Sequence, residues 1–336
     1  MRCRFEVLTK DRTYVLATES STEEEIKNVW LERMSNATGL PVSNSMSDIQ
    51  KRDVETIAEL KLALTTHGFF TITDHGIADE VLQSSYRLSK DFFSLPEAIK
   101  NRYAHPEKAG ARGYTPFGKE TAVGETTPDL KEFWHHGPMI DDSFDSRISD
   151  NITVSEIADF NSQFDLLFNQ LNLLGMKVLS AIAVILGREP SFFDSWALKG
   201  NSILRLIHYP PVGDSSNILR ARAHEDINLI TLLVGAEESG LEVQNPDGGW
   251  IPIAAKSKSI VCNIGDMMQL VTRSQLKSTS HRVIDHNVGS SASRYSMPFF
   301  LHPSPEIELC SIVDDSSESI SAHDFLEERL KAIKLY

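Results

Sequence analysis

Ser202-Ile203-Leu204-Arg205-Leu206-Ile207-His208-Tyr209 opens a stretch of about a hundred residues, and Arg294-Tyr295-Ser296-Met297-Pro298-Phe299-Phe300-Leu301 closes it. Between them run Leu229–Val234, Leu241–Gln244, Ile260–Ile264 and Met267–Val271. About eight such short β-like runs alternate with Gly, Pro, Asn and Asp from Ser202 to Leu301. Many short strands at this spacing predict a sandwich or a barrel.

Upstream, Gly187-Arg188-Glu189-Pro190 marks a change of period. Before it, Ile157, Phe160, Phe164, Leu167, Leu171, Leu174, Val178 and Ile182 form a core-facing helical stripe. They predict one long helix from Ser155, as its cap, to Leu186. Residues 104–150 are rich in Gly, Pro and Thr and read as loops with short strands. Ser47 to Thr66 and Asp79 to Ser94 read as helices, with Pro96 starting a shorter one. Between the first two, Gly68-Phe69-Phe70-Thr71-Ile72-Thr73 reads as a strand closed by the turn Asp74-His75-Gly76. Residues 1–45 are polar, carry the acidic run Glu23-Glu24-Glu25, and read as an extension with a short helix. Downstream, Ser316-Ser317-Glu318-Ser319 reads as a linker and Ala322 to Ile333 as a helical tail. The expected architecture is α+β: an extension (1–45), a helical and loop region (46–200), a β-core (201–303) and a helical tail (304–336), with everything after the extension forming one catalytic unit.

The chain has 336 residues and a net charge of −14. A nucleic-acid footprint would be basic, and so would a surface that docks on anionic lipid, so neither partner is expected. Cys3, Cys262 and Cys310 are odd in number and widely spaced, which disfavours a disulfide framework. A reducing, cytoplasmic setting is expected. The start, Met1-Arg2-Cys3-Arg4-Phe5, lacks the apolar run of a signal peptide. Leu171 to Leu186, broken by Asn172, Gly175 and Lys177, reads as too short and too polar to span a bilayer. Oligomeric state is not legible.

Two histidines are followed two residues later by an acid: His105-Pro106-Glu107 and His224-Glu225-Asp226. The first lies in a Pro- and Gly-rich stretch and reads as surface loop. The second lies at the edge of the β-rich half. On a strand, residues i and i+2 share a face, so His224 and Asp226 could converge on one ion while Glu225 points away. A ferrous oxygenase needs one more imidazole and an open side. His281, 55 positions beyond Asp226 and beside a β-like run, is the best candidate. His286 sits in a turn and His302 precedes Pro303, so both are weaker. Two imidazoles and a carboxylate suit Fe(II); the same trio can hold catalytic zinc, but no HExxH helix is present.

Thirteen positions after His281, Arg294 and Ser296 share one strand face. A guanidinium fork beside a hydroxyl is a carboxylate receptor, and Tyr209 could add a phenolic donor.

These pieces together resemble the isopenicillin N synthase-like family of Fe(II)/2-oxoglutarate-dependent oxygenases. The likeness spans roughly residues 46–302. It rests on Gly68 to Gly76, Phe92-Phe93-Ser94-Leu95-Pro96, Arg112-Gly113-Tyr114, Leu206-Ile207-His208-Tyr209-Pro210-Pro211, His224-Glu225-Asp226, Gly265-Asp266-Met267, His281-Arg282-Val283 and Arg294-x-Ser296, in that order. It implies a double-stranded β-helix, or jelly roll, with Fe(II) in its mouth on His224, Asp226 and His281. It implies that 2-oxoglutarate chelates the metal through its keto acid and sets its distal carboxylate on Arg294, Ser296 and Tyr209. O₂ takes the last position. Decarboxylation to succinate and CO₂ would then drive oxidation of a substrate C–H bond, as hydroxylation, desaturation or ring closure. Two departures stand out: a slightly long Val288 to Ser293 segment, and His208 beside the tyrosine.

Arg112, Tyr114, Lys119, Lys131, Phe133, Arg222 and Phe299 are the candidate substrate contacts, in the loop-rich stretch and at strand ends. Several are cationic, which suggests a small anionic or amino-acid-derived metabolite. The alternatives are an oxidase of the isopenicillin N synthase type, which takes no 2-oxoglutarate and clamps a substrate carboxylate with Arg294 and Ser296, a relative that binds metal without turnover, and a zinc hydrolase.

Overall fold

The structure, a computed structural model, describes residues 4–8, 13–17, 48–105, 110–120, 128–211, 218–234, 240–253, 259–285, 293–314 and 318–333. The acidic run 23–25, most of the 288–293 segment, His286, and residues 106–107 and 316–317 lie outside them.

Two antiparallel sheets face each other. The larger runs in the order β2 (Thr13–Ala17), β1 (Arg4–Leu8), β3 (Phe69–Thr73), β11 (Ile260–Ile264), β8 (Ile230–Val234), β13 (Arg294–Leu301), β6 (Ile203–Tyr209), β5 (Glu132–His136), β4 (Gly113–Thr115). The smaller runs β10 (Trp250–Pro252), β9 (Leu241–Gln244), β12 (His281–Asp285), β7 (Ile218–His224). A hairpin of β14 (Glu308–Cys310) and β15 (Ser319–Ser321) stands apart. Helices α1 (Asp48–Thr66), α2 (Asp79–Phe93), α3 (Glu97–Lys100), α4 (Phe160–Ile185), α5 (Asp194–Ala197), α6 (Asp266–Val271) and α7 (Ala322–Ala332), with a 3₁₀ turn at Asn101–Tyr103, complete the described elements.

The sheets bury opposite residue parities on opposite faces, as a period of two requires. The outer face of the large sheet carries α4, with Phe168 against Phe299 at 5.1 Å between ring centroids. Gly175 permits that approach, because a Cβ there would sit 2.4 Å from Leu301 Cδ1. Glycine inside a helix costs about 0.5–1 kcal/mol. One fully buried Phe or Leu contributes roughly 1.5–3 kcal/mol, so close packing of helix on sheet wins. The inner face meets the small sheet through two apolar clusters. One joins Phe69 and Val261 to Leu241, Val243 and Ile253, and the other joins Phe133, Ile207 and Tyr209 to Ala221 and Val283. The functional site occupies the space between these clusters.

Several expectations change. Met267–Val271 is not a strand but α6: Met267, Met268 and Val271 are buried at helical spacing. Periodicity alone does not separate the two for so short an apolar run. The long helix begins at Phe160, not Ser155, because Asn161 ties its amide to Val154 N and Ile152 O and holds the preceding chain off the helix path. It runs 26 residues and, by length and composition, could cross a membrane, but half of its most apolar window is buried within the fold. The first residues contribute two strands, β1 pairing with β3, rather than only an extension. Ser319 belongs to β15 rather than to a linker.

Candidate metal centre

His224 ends β7, and β12 sets His281 opposite it in register. Their ring centroids are 4.4 Å apart. Asp226 lies past the end of the strand, so the expected i, i+2 placement on one strand is corrected. The first amides of α6 take the carbonyls of this turn: Asp266 N donates to Asp226 O at 2.7 Å, and Met267 N to Ile227 O and Asn228 O at 3.2 Å. Those carbonyls cannot continue the ladder, and the turn swings the carboxylate toward the two rings. His281 Nε2 is 3.8 Å from Asp226 Oδ1, and one donor atom from each of the three residues lies within 4.8 Å of the others. This is the single such His/Cys/Asp/Glu cluster among the described residues.

Each ligand is oriented by its second polar atom. His224 Nδ1 donates to Arg222 O at 2.7 Å and His281 Nδ1 to Thr279 O at 3.2 Å. A carbonyl only accepts, so Nδ1 carries a proton in both rings and Nε2 is the atom each turns toward the centre. Asp226 Oδ2 accepts from Thr231 Oγ1 at 2.6 Å and Asn263 Nδ2 at 2.8 Å, leaving Oδ1. Asn228 Nδ2 steadies Thr231 Oγ1 at 2.9 Å. Burial, then the nearby His281, lowers the His224 pKa to about 4, so its ring is neutral at physiological pH. Burial pushes Asp226 up, but the two imidazoles and the Asn263 and Thr231 bonds outweigh it and hold the group below its ordinary value. Neutral His224, ionised Asp226 and the aimed ring of His281 make a donor set that fits a divalent metal.

Such partners of metal ligands hold orientation and basicity. Asn263→Ala is expected to weaken Fe(II) binding about 10–100-fold with the fold kept, because the ladder of β11 is made by its backbone. Anaerobic Fe(II) calorimetry checks this, and an unchanged affinity would show that Asn263 does not hold the carboxylate.

Beside the triad is an inner chamber of about 60 Å³ that also holds Arg294, Ser296, Tyr209, Lys131 and Arg205. Arg294 is 3% exposed, yet its Nε and Nη1 have no hydrogen-bond partner. Its guanidinium carbon lies 5.2 Å from the Tyr209 ring centre. Buried donors left unmet cost about 1–3 kcal/mol each, so this end of the chamber fits an incoming carboxylate.

An outer cavity of about 320 Å³ opens beside His224 and Asp226. Phe300 and Arg205 border both spaces. Asn201, Ile203, His135 and His302 form part of its wall, and Leu326, Arg329, Leu330 and Ile333 bring the C-terminal helix over it. Arg329 pairs with Asp266 at 3.0 Å.

Most expected substrate contacts fall elsewhere. Arg112 is buried and spends donors on Ser149 O at 3.2 Å, Ala111 O at 2.6 Å and Asn201 Oδ1 at 3.0 Å. Tyr114 donates to Glu132, which also binds Lys100 at 2.7 Å and His208 at 2.7 Å. His208, odd in the sequence, thus points away from the chamber. Lys131 does border the inner chamber, but Glu120 at 2.7 Å and Asp129 at 3.0 Å neutralise it. Arg222 Nη1 reaches Pro128 O at 3.3 Å and Asp129 at 3.4 Å. Lys119 is exposed. Phe133 packs between the sheets under the Arg205 guanidinium, 4.2 Å from its ring centre. Phe299 faces α4, on the opposite parity from Arg294 and Ser296; Phe300 takes the place expected for it. The strand parity that picked Ser296 could have found Phe300, and from Tyr209 also Arg205. Thr231, Asn263 and the lining from α7 had no signal.

Residues 200–303 match the model of the 2OG-Fe(II) oxygenase superfamily, and residues 40–154 match that of the non-haem dioxygenase in morphine synthesis N-terminal region. A 2-oxoglutarate-dependent dioxygenase of Didymella fabae is 30% identical over 296 residues, covering 81% of this chain and 88% of the relative. A 2OG-Fe(II) oxygenase family protein from Caulobacter crescentus superposes with a TM-score of 0.76 at 41% identity, covering 84% of this chain and 96% of that one. A full-length Neurospora crassa protein, solved in complex with alpha-KG and thymine, superposes with a TM-score of 0.74 at 27% identity, covering 85% of this chain and 93% of that one. These solved relatives share the jelly-roll fold.

Proposed function

Because the chain belongs to the 2OG-Fe(II) oxygenase superfamily, we propose that it holds Fe(II) on His224, Asp226 and His281, seats 2-oxoglutarate in the inner chamber, and oxidises a C–H bond of a small molecule in the outer cavity. The chain is a 2-oxoglutarate-dependent dioxygenase. The family uses Fe(II), 2-oxoglutarate and O₂. Bound together, these supply an oxidant able to break a C–H bond, releasing succinate and CO₂. The outcome at substrate is hydroxylation, desaturation or ring closure.

The observation that carries this reading is the pair of unmet donors on buried Arg294, in the same chamber as the triad. The guanidinium fork fixes a distal carboxylate, with Tyr209 and Ser296 as further hydroxyl donors, and so sets where the keto-acid end reaches. The aimed Nε2 and Oδ1 atoms would hold the ion as three protein donors, and the keto-acid end would supply further oxygen donors to it. The sheet pairs β3, β4 and β5 with the core strands, and α7 caps the cavity, which supports reading residues 46–336 as one catalytic unit. The anionic-substrate idea loses its support, since Arg112, Lys131 and Arg222 all have protein partners.

Adding Fe(II) and then 2-oxoglutarate to the protein under argon is expected to produce the visible charge-transfer band of a keto-acid chelate. Iron bound at one per chain with no band would instead favour the oxidase that needs no 2-oxoglutarate.

A further inference from the structure

One polar pair in the outer cavity is left over from the machinery above. The antiparallel ladder of β6 and β13 runs from Arg294↔Tyr209 to Phe300↔Ile203. Two residues further, on the same parity, come His302 and Asn201. The chains stay together there: Asn201 N donates to Pro303 O at 3.2 Å, and His302 N to Ser202 Oγ at 3.2 Å. Both residues border the cavity.

Their hydrogen-bonding sense is set by what lies behind them. His302 is 5% exposed and its Nδ1 donates to Phe300 O at 3.2 Å. Burial lowers its pKa to about 4, so the ring is neutral and Nε2 is an acceptor. This is the arrangement of the two iron-ligand histidines, without a carboxylate to complete a site. Asn201 Oδ1 accepts from Arg112 Nη2 at 3.0 Å. A guanidinium only donates, so the amide cannot be flipped and Nδ2 is the edge left for a ligand. The same stretch of wall thus offers a donor on Asn201 and an acceptor on His302.

Both arginines of the cavity are paired, and carboxylates outnumber them. Arg205 pairs with Glu120 at 3.0 Å and Arg329 with Asp266 at 3.0 Å, while Glu225 adds a further carboxylate to the wall. Ile203, Phe300, Leu326, Leu330 and Ile333 supply the apolar part of the wall. Such a room disfavours an anion and suits a flat, uncharged ring.

We propose that the outer cavity takes an uncharged ring containing a cis amide, such as a lactam or an imide, with Asn201 Nδ2 donating to its carbonyl and His302 Nε2 accepting from its adjacent N–H. The proposal rests on the assignment of iron and 2-oxoglutarate to the inner chamber. Asn201 and His302 are specificity residues here, and neither touches the metal.

The test is calorimetry under argon on protein loaded with Fe(II) and 2-oxoglutarate, with the charge-transfer band recorded on the same sample. The probes are δ-valerolactam, its N-methyl derivative and cyclohexanecarboxylate. The lactam is expected to bind. N-methylation, which removes the proton for His302, is expected to weaken binding at least about tenfold, as are Asn201→Asp and His302→Phe on the parent lactam. The band should persist in both variants, which shows that they are folded and loaded. With the band present, the proposal is overturned if the lactam does not bind, if the N-methyl derivative binds equally well, or if the carboxylate binds more tightly. A missing band in the parent protein would bring down the inner-chamber assignment, and this proposal with it.

Discussion

His281→Ala is expected to abolish stable iron binding and to lower 2-oxoglutarate turnover by roughly three orders of magnitude or more. His281 supplies one of the three donor atoms of the proposed centre, and His224 and Asp226 alone would leave it short of a ligand. The variant should still fold. The ring's described aromatic neighbours are Phe69, edge-on at 5.6 Å, and His224, while the strand is held by the backbone ladders of β12 with β7 and β9. Iron per chain after desalting and succinate release are the measurements. Full iron occupancy in His281→Ala would show that the ion sits elsewhere.

Arg294→Ala should separate cleanly from that result: iron binds, and 2-oxoglutarate does not. Hydrogen bonds to charged groups contribute about 1.5–3 kcal/mol each, and two donors await a partner. Affinity for 2-oxoglutarate should therefore fall about 10²–10⁴-fold, read from the charge-transfer titration and from KM. Arg294→Lys should recover part of it, since a point charge replaces the fork. Without cosubstrate, the alanine variant should melt no lower than the parent, because it removes buried donors that have nothing to bind. Unchanged 2-oxoglutarate affinity would transfer Arg294 to the substrate, as in the oxidase alternative.

The sequence made the Arg-x-Ser pair and the jelly-roll strands legible because each follows a local rule, whereas the triad is legible only through the resemblance, since Asp226 lies past the strand end and His281 is far from it in sequence. Arg294 and Ser296 share a parity, and strands β6, β8, β9, β11 and β13 are short apolar runs between turn residues. The same parity selects Phe300 as surely as Ser296 and turns Phe299 to the other face of the strand. What was illegible is non-local. Nothing about Asn263 or Thr231 alone says that β11 and β8 lay them on Asp226. Arg112 and Lys131 look like free cations until Asn201, Glu120 and Asp129 are folded onto them. Met267–Val271 shows the same limit, since amides drawn to the Asp226 turn, rather than its own composition, make it a helix.

The long shared ladder of β6 and β13 bears on how such a protein can diversify. One strand pair carries the carboxylate clamp at one end and the Asn201–His302 pair at the other. A single inserted or deleted residue between Ile203 and Tyr209 would invert the faces beyond it and remove one end or the other from the cavity. Substitution at positions 201, 302 and along α7 leaves the clamp where it is. Lineages built on this frame should therefore change their chemistry by exchanging residues at the far end of the ladder and in the helix above it, while the length of these two strands stays constant.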